Sequence, residues 1–465
     1  MNALDLNRDT IVAVSTPHGM GGIAVVRVSG PDALTFVEKR WQGVSLKTMA
    51  SHTVHLGKIM DAQGELLDEV VLTLYRGPHS FTGEDVVEIA CHGSLWIQRQ
   101  LVTTLIEAGC RAATGGEFTQ RAFANGKMDL SQAEAIADVI ASSSRAAHRV
   151  AMNQMRGAFG RELSALRSQL LQFVSLIELE LDFSEEDVNF ADRSRLIDLA
   201  TSIQGVISRL SHSFEAGNVI KNGLPVAIVG ASNAGKSTLL NALLRDDRAL
   251  VSDIAGTTRD VIEDTMVLGG VQFRFIDTAG IRESTDVIEN MGIERSFQKM
   301  DEAQIVLWVI DATTGMGEVE RLAATIAQRC ASKQLIAVVN KTDVADAGPI
   351  VQALQQLMPE GIAVMAMSAK NLSDVERLEG LIVERAMLPE VDSEALIVTN
   401  ARHYEALLRA GDAIERSIDG LRAGLSGDLV SQDIRECMHY LGEITGEIST
   451  DDILGEIFAH FCIGK

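Results

Sequence analysis

Val226-Ala-Ile-Val-Gly-Ala-Ser-Asn-Ala-Gly-Lys-Ser-Thr238 decides how the middle of this chain folds. Four apolar residues run into a glycine-rich loop, and the loop opens into a Leu-rich stretch with helical spacing. Gly230, Gly235, Lys236 and Ser237 satisfy G-x-x-x-x-G-K-[ST], the pattern of a loop that cradles phosphates. Glycines let backbone N–H groups curl round the anion, and the helix N-terminus adds favourable partial charge. Lys236 is placed to reach the β- and γ-phosphates of a nucleotide, and the Ser237 hydroxyl to ligate Mg2+. Asn233, Ala234 and Thr238 complete the lining.

Outward from this loop the texture is strand–helix alternation. Strands are expected at Val226–Val229, Phe273–Ile276, Ile305–Ile310, Leu335–Val339 and Ala363–Met367, with helices between most of them. That alternation implies an α/β unit, a mostly parallel sheet covered on both faces. Further motifs follow in order. Asp277-Thr278-Ala279-Gly280 closes a strand, where the Asp can hold the Mg2+ shell through water and the Gly280 N–H can sense a γ-phosphate. Between this turn and the phosphate loop lies Gly256-Thr257-Thr258-Arg259-Asp260, in a loop long enough to fold over the nucleotide; Thr258 is the preferred second Mg2+ hydroxyl, and the expected GTP contacts extend back through Ser252, Asp253, Ile254 and Ala255. Asn340-Lys341-Thr342-Asp343 ends another strand. Asp343 can accept from guanine N1–H and the exocyclic amine, a donor pair that adenine lacks. Asn340 and Lys341 brace the loop and cover the ring, and Ser368-Ala369-Lys370 supplies the remaining base contact. Together these elements resemble a GTPase of the translation-factor-related class.

The chemistry of hydrolysis is less legible. Many GTPases place Gln after the D-x-x-G turn to orient water, but here that residue is Ile281. Glu283, Asp286 and Glu289 are the candidate acids, with Arg259 and Arg282 nearby. Asn233 has two readings. Its carbonyl can help bind a monovalent cation beside the phosphates, or it can cap the helix, as Asn commonly does.

The flanks read differently. The chain has 465 residues, 46% hydrophobic and 23% charged, enough for several domains. Short β-branched runs at Ile11–Val14, Ile23–Val28, Val70–Leu74 and Val86–Ile89, with a helix at Leu95–Ala108, imply an N-terminal α+β domain. Leu163, Leu166, Leu170, Phe173, Ile177 and Leu181 recur at helical spacing, as do Leu196, Leu199, Ile203, Ile207 and Leu210. After Pro389, Leu407, Leu408, Ile414, Ile418 and Leu421 resume that pattern, and a last helix lies near Ile434–Ile444. The expected division is 1–128 N-terminal, 129–221 helical, 222–389 an inserted Ras-like P-loop domain, and 390–465 helical again. Five cysteines without a C-x-x-C pair argue against a zinc cluster or a disulfide framework. The opening residues lack a signal-peptide run and no apolar stretch reaches membrane length, so a cytoplasmic protein with no membrane partner is expected. The 41 Lys+Arg against 64 Asp+Glu leave a net charge of −23, so a nucleic acid must meet a local basic patch or a second protein.

Several stretches outside the P-loop unit carry a family resemblance. They are Asp9-Thr-Ile11, Thr16-Pro17, Gly21–Gly30, Ser80–Glu88, Cys91-His-Gly93, Gly116–Ala135 and the ending Phe461-Cys-Ile-Gly-Lys465. With the nucleotide motifs they resemble the MnmE (TrmE) family of tRNA-modification GTPases from end to end. The resemblance implies a folate-binding N-terminal domain that dimerises, giving a homodimer, and a discontinuous helical domain carrying the G domain. It implies work with a flavoprotein, MnmG (GidA), which holds the FAD. The joint product is an aminomethyl or carboxymethylaminomethyl group on C5 of the tRNA wobble uridine. Its carbon comes from a tetrahydrofolate derivative, 5,10-methylene or 5-formyl.

Carried over by position, the family's K+ site falls on Asn233, Ser252, Ile254 and Thr257, its Mg2+ ligands on Ser237 and Thr258, and its catalytic acid on Glu289. Its folate contacts fall on Arg27, Glu88, Lys127 and Lys465, and its tail thiol on Cys462. Met20, Ser94 and Thr114-Gly115 depart from the family pattern at the folate rim. The rival reading is a regulatory or ribosome-assembly GTPase, which leaves Gly116–Ala135 and the tail unexplained. A free-standing folate transferase is a third reading.

Overall fold

The structure is a computed structural model. It describes residues 9–182, 193–244, 264–276, 298–359, 361–386 and 396–448, and 454, 455, 457, 458, 461 and 464 of the tail. The chain forms two compact units, each described by itself: Met1–Ile140 with Ala151–Ser208 and Glu405–Lys465, and Ala141–Val150 with Arg209–Tyr404.

The first unit opens with β1 (Ile11–Val14), β2 (Ile23–Ser29), α1 (Ala33–Glu38), β3 (Trp41–Gln42), β4 (Thr53–Met60), β5 (Leu66–Tyr75), β6 (Val86–His92), α2 (Leu95–Ala108) and β7 (Arg111–Ala112). They form a seven-stranded sheet in the order β3-β4-β5-β6-β2-β1-β7. Its pairs are antiparallel except β1 with β7. Strand alternation sends Val26, Val28, Leu72, Leu74, Val87 and Ile89 to one face, where they pack with Ala33 and Val37 of α1 and Leu101 and Leu105 of α2. Arg27 and Glu88 fall on the other face. The strand β4 was not among the expected ones. Its alternation leaves Val54 and Leu56 exposed, and His55, Gly57 and Lys58 interrupt the apolar run.

Next come α3 (Glu117–Ala124), α4 (Leu130–Ala141), α5 (Arg145–Met155), α6 (Ala158–Asp182) and α7 (Arg193–His212). The expected stripes are core: Leu163, Leu166, Leu170, Phe173, Ile177, Leu196, Ile203 and Ile207 are buried. The side chain of Leu181 lies outside the described residues, and Leu199 is half-buried.

The second unit contains α8 (Phe214–Asn222), β8 (Leu224–Val229), α9 (Lys236–Leu243), β9 (Asp264–Leu268), β10 (Val271–Phe275), β11 (Ile305–Asp311), α10 (Met316–Arg329), β12 (Gln334–Asn340), α11 (Gly348–Leu357), β13 (Ala363–Ala366) and α12 (Leu372–Arg385). The sheet order is β13-β12-β11-β8-β10-β9, parallel throughout except β9 against β10. Both faces are covered, one by a cluster including Leu239, Leu240 and Leu378, the other by one including Val319, Ala323 and Ile350. The near-continuous apolar runs of β8, β11 and β12 follow from burial on both faces.

Two long helices, α13 (Ala401–Ala423) and α14 (Gly427–Thr445), return the chain to the first unit, where α14 packs along α6. Leu407, Ile414, Ile418 and Leu421 are buried as the period requires, whereas Leu408 is exposed one step off the stripe. Tail residues Leu454 and Phe458 pack on Leu130 and Ala133 of α4. Among the described residues no helix is long and apolar enough to cross a membrane.

Candidate functional site

The described nucleotide motifs, Gly230–Ser237, Asn340–Asp343 and Ser368–Lys370, lie just past the C-terminal ends of parallel strands, the edge where open α/β sheets bind ligands. Gly230 follows β8 with φ 153, and a Cβ there would sit 2.1 Å from the Val309 carbonyl oxygen. Gly235 is the N-cap of α9 with φ 99, and a Cβ there would meet Asn340 Nδ2 at 2.2 Å. The loop therefore tolerates only hydrogen at both positions, and the backbone can approach a phosphate closely.

Asn233 stands two residues before that N-cap, exposed and left-handed at φ 64. The structure thus removes the helix-cap reading of Asn233. Lys236 Nζ donates to the Gly230 and Ala231 carbonyls at 2.9 and 2.8 Å, so its ammonium is folded over the loop. Burial, and then repulsion from Lys299, hold its pKa below the usual lysine value. Ser237 opens α9 beside it, and Thr238 is exposed.

Asn340, buried at the end of β12, joins three motifs. Its Nδ2 donates to the Ala234 carbonyl at 2.9 Å, and its Oδ1 accepts the Ala369 N–H at 3.0 Å. It thereby ties the loop after β8 to the loop after β13. Lys341, left-handed at φ 69, ion-pairs with Asp311 at 2.6 Å. Asp343 Oδ1 accepts from Ser368 Oγ at 2.8 Å, and Oδ2 pairs with Lys370 Nζ at 3.0 Å. Those contacts, Ser368 first and Lys370 second, hold the carboxyl below its usual pKa. Each carboxylate oxygen keeps a second lone pair for guanine's two donors. Asp311 and Asp374, which accepts the Ser368 N–H at 3.0 Å, were not singled out in the sequence. The position of Asp311 at the end of an apolar strand was the signal for it.

Ser252, Asp253, Ile254, Ala255, Gly256, Thr257 and Thr258, then Asp277, Thr278, Ala279 and Gly280, and the acids Glu283, Asp286 and Glu289 all lie outside the described residues. Ser237 and Asn233 are thus the described members of the Mg2+ and K+ sets. Among the described residues no group of three His, Cys, Asp or Glu could hold a metal.

The second expected site lies on the open face of the N-terminal sheet. Arg27 and Glu88 are direct cross-strand partners, joined at 2.7 Å through Nη2 and 2.9 Å through Nε. The Arg27 guanidinium lies 5.3 Å from the Phe81 ring centroid and 5.6 Å from that of Phe118. Tyr75 also bonds to Glu88; burial first, then the Glu88 charge, push its phenol pKa up. Lys127 Nζ donates to the Pro78 carbonyl at 2.9 Å, and its stem lies against Gly83 in the loop that carries Phe81. From the other end of the chain, the Gly464 carbonyl accepts from Ser15 Oγ at 3.1 Å, just beyond β1. Lys465 and Cys462 lie outside the described residues. Burial pushes the thiols of Cys91 and Cys110 up to about 11 and about 12, and those of Cys330 and Cys437 likewise, so all four are packing residues.

Beside this face sits an ion cluster that the sequence did not reveal. Arg121, 1% exposed, bonds to Asp9 at 2.5 Å, Glu117 at 3.0 Å and Glu84 at 3.2 Å. Arg111 bonds to Asp9 and Glu117 at 2.5 Å each. Thr114, one of the departures from the family pattern, gives Glu117 its N–H at 2.9 Å and its hydroxyl at 3.2 Å. Burial pushes Glu117 up, but Arg111, Thr114 and Arg121 outweigh it and leave the carboxyl below its usual pKa. Of the other departures, Met20 is 86% exposed and Ser94 is the N-cap of α2.

Comparison with known proteins supplies the deciding observation. The family described as "GTP-binding protein TrmE N-terminus" matches residues 10–127, and "MnmE helical domain" matches residues 130–462. The chain belongs to the MnmE family. It is 54% identical over 467 residues to a protein of Bacteroides thetaiotaomicron named tRNA modification GTPase MnmE, covering 99% of this chain and 100% of that one. A protein of the same name from Flavobacterium johnsoniae is 49% identical over 466 residues, covering 99% and 100%. Among solved structures, a point variant of Aquifex aeolicus Era bound to GDP and AlF4− is 30% identical over 41% of this chain and 66% of that chain, with a TM-score of 0.28.

Proposed function

We propose that this chain hydrolyses GTP within the machinery that modifies C5 of the tRNA wobble uridine. The observation that carries the reading is the end-to-end identity to proteins named tRNA modification GTPase MnmE. In this reading GTP lies against Asn233–Thr238, with Asn340, Lys341, Asp343 and Ser368–Lys370 around the base. Mg2+, held by Ser237 and Thr258, would neutralise phosphate charge. K+, held by Asn233, Ser252, Ile254 and Thr257, would supply charge where other GTPases use an arginine. Glu289 would orient water. The left-handed, exposed Asn233 supports the cation reading, since its side chain is not engaged as the cap of α9.

The N-terminal face would bind a reduced folate that supplies a one-carbon unit. Glu88 can accept a pterin's paired N–H donors, the partly exposed Phe81 offers an apolar wall, and Lys127 and Lys465 suit the glutamate tail. A pterin engaging Glu88 would share it with Arg27 and Tyr75. The redox step belongs to a flavoprotein partner, MnmG, through its FAD. The apolar side chains exposed on the same sheet face, Ile23, Val54, Leu56 and Val71, support a homodimer through this domain. A cytoplasmic location and the four-part division at 128, 221 and 389 belong to the same reading.

Wobble-uridine analysis of tRNA from cells lacking the protein tests it. The C5 group should be absent and should return with the wild-type gene; unchanged tRNA would refute the reading. GTP turnover should be faster in K+ than in Na+ at equal ionic strength, and equal rates would remove the cation.

A further inference from the structure

Lys341 has a left-handed backbone at φ 69, a conformation that a residue with a side chain keeps only where its surroundings hold it. Asn340 before it is pinned by its bonds to Ala234 and Ala369. The side chain of Lys341 is pinned at its far end. The anchor is Asp311, the last residue of β11 and the register partner of Asn340. Asp311 Oδ2 accepts from Lys341 Nζ at 2.6 Å. Oδ1 accepts the Thr313 N–H at 2.9 Å and the Thr313 hydroxyl at 2.8 Å. One carboxylate oxygen is therefore held by its own turn, and the other is turned to the lysine. The Ala312 N–H donates to the Asn340 carbonyl at 2.9 Å, so the turn that follows Asp311 is fixed to the strand that leads to Lys341. The Asp311 side chain is 16% exposed and that of Lys341 33%, so water screens the pair only in part. Burial pushes Asp311 up, but Lys341 and Thr313 outweigh it and leave the carboxyl below its usual pKa.

We infer that Asp311 is a positioning residue for the guanine nucleotide, acting through Lys341, whose side chain it fixes in the base-contacting loop before the nucleotide arrives. A free lysine side chain has large rotamer freedom, and a ligand that must order it loses that much affinity. Holding the ammonium removes most of the loss, because the four-carbon stem is then fixed at both ends. A stem that covers the face of a base acts on the ring, whatever hydrogen-bonding groups the ring carries. Asp343 instead reads the edge of the base. The two acids of this region thus have separate tasks: Asp311 sets how tightly a purine ring is held, and Asp343 sets which purine. The ion pair also spends the lysine's charge, so Lys341 adds little net attraction for the phosphates.

This inference rests on the reading that Lys341 lies over the base. The test is titration of the full chain with ribose-labelled fluorescent GTP and ITP, the second lacking guanine's exocyclic amine. Wild type is compared with D311N, with K341M, which keeps the stem and loses the charge, and with D311N/K341M. D311N should bind GTP about fivefold to tenfold more weakly, and ITP by the same factor. Plain electrostatics predicts the opposite sign, because D311N removes a negative charge and frees an ammonium near an anionic ligand. K341M should also bind both nucleotides more weakly, and the double variant should be no weaker than K341M alone, since the two residues act as one unit. Melting curves without nucleotide show whether D311N folds. If it does not, T313V, which takes one donor from Asp311 Oδ1, replaces it, and weaker binding of GTP and ITP by an equal factor is expected. Unchanged or tighter GTP binding by D311N, or by T313V in its place, with K341M weakened, would overturn the role of Asp311 and leave Lys341 at the base. Losses that add in the double variant would show that Asp311 acts by another route, and would overturn the inference. So would a D311N loss that differs between GTP and ITP, which places the effect at the base edge. Wild-type GTP affinity in K341M would refute the reading of Lys341 itself, and the inference with it.

Discussion

The nucleotide site and the N-terminal sheet face are both built at strands, but in opposite ways. In the first, parallel strands end at one edge, so each motif is a contiguous run of sequence delivered by the strand before it. Asn340 reaches both Ala234 and Ala369 because β8, β11, β12 and β13 run the same way. In the second, Arg27 meets Glu88 in mid-strand across an antiparallel ladder, and Phe81, Phe118, Lys127 and the tail approach from separate segments. A site of contiguous runs can be read as motifs. A site of cross-strand partners depends on register, and a slip of one residue would turn every side chain to the wrong face.

The two sites should therefore fail differently. The largest effect is expected from Glu117→Ala. It leaves Arg111 and the buried Arg121 without their shared carboxylate, which costs about 3–5 kcal/mol for a broken buried pair. Thermal denaturation should show the loss, while GTP turnover at low temperature survives; a melting curve matching wild type would break the distinction. Next is a crossed pair of variants. Asp343→Asn should weaken GTP affinity and guanine preference, leaving folate binding intact. Arg27→Ala should lose a comparable amount of reduced-folate affinity, leaving GTP binding intact. Titration of each ligand against each variant measures this, and equal loss of both ligands in either variant would unite the two sites.

The smallest effect concerns pH. Glu117 and Asp9 have folded pKa values below their ordinary 4.5 and 3.8, because the arginine contacts outweigh burial. Their contribution is full above the ordinary values and is lost as pH falls through the folded ones. The N-terminal unit should thus weaken below about pH 4.5. Melting temperature against pH gives the sign, and stabilisation on acidification would contradict the cluster.

How much of this was legible follows from the same contrast. The motifs single out Lys236, Asn340, Asp343 and Ser368, and the structure joins Asn340 to the loop before Lys236 and Asp343 to Ser368. They could not separate the cation and cap readings of Asn233. That the cap reading fails rests on a backbone φ and the position of the N-cap, which depend on how the loop closes against Asn340. The ion cluster of Asp9, Glu84, Arg111, Glu117 and Arg121 was invisible because its members lie as much as 112 residues apart. A charged residue in a sequence looks the same whether buried or solvated. The strand β4 was missed because its alternation is apolar outward, which inverts the usual pattern.

The sequence by itself determined the phosphate loop, the base-reading motif, the helical stripes and membership of the family, because each rests on local spacing or end-to-end similarity. Only the tertiary structure decided which charges are buried together, that Asn340 clamps two loops at once, and that Gly464 is seated beside β1. Those facts arise from contacts between distant segments, and contact energy depends on the geometry of both partners, which no single stretch of chain contains.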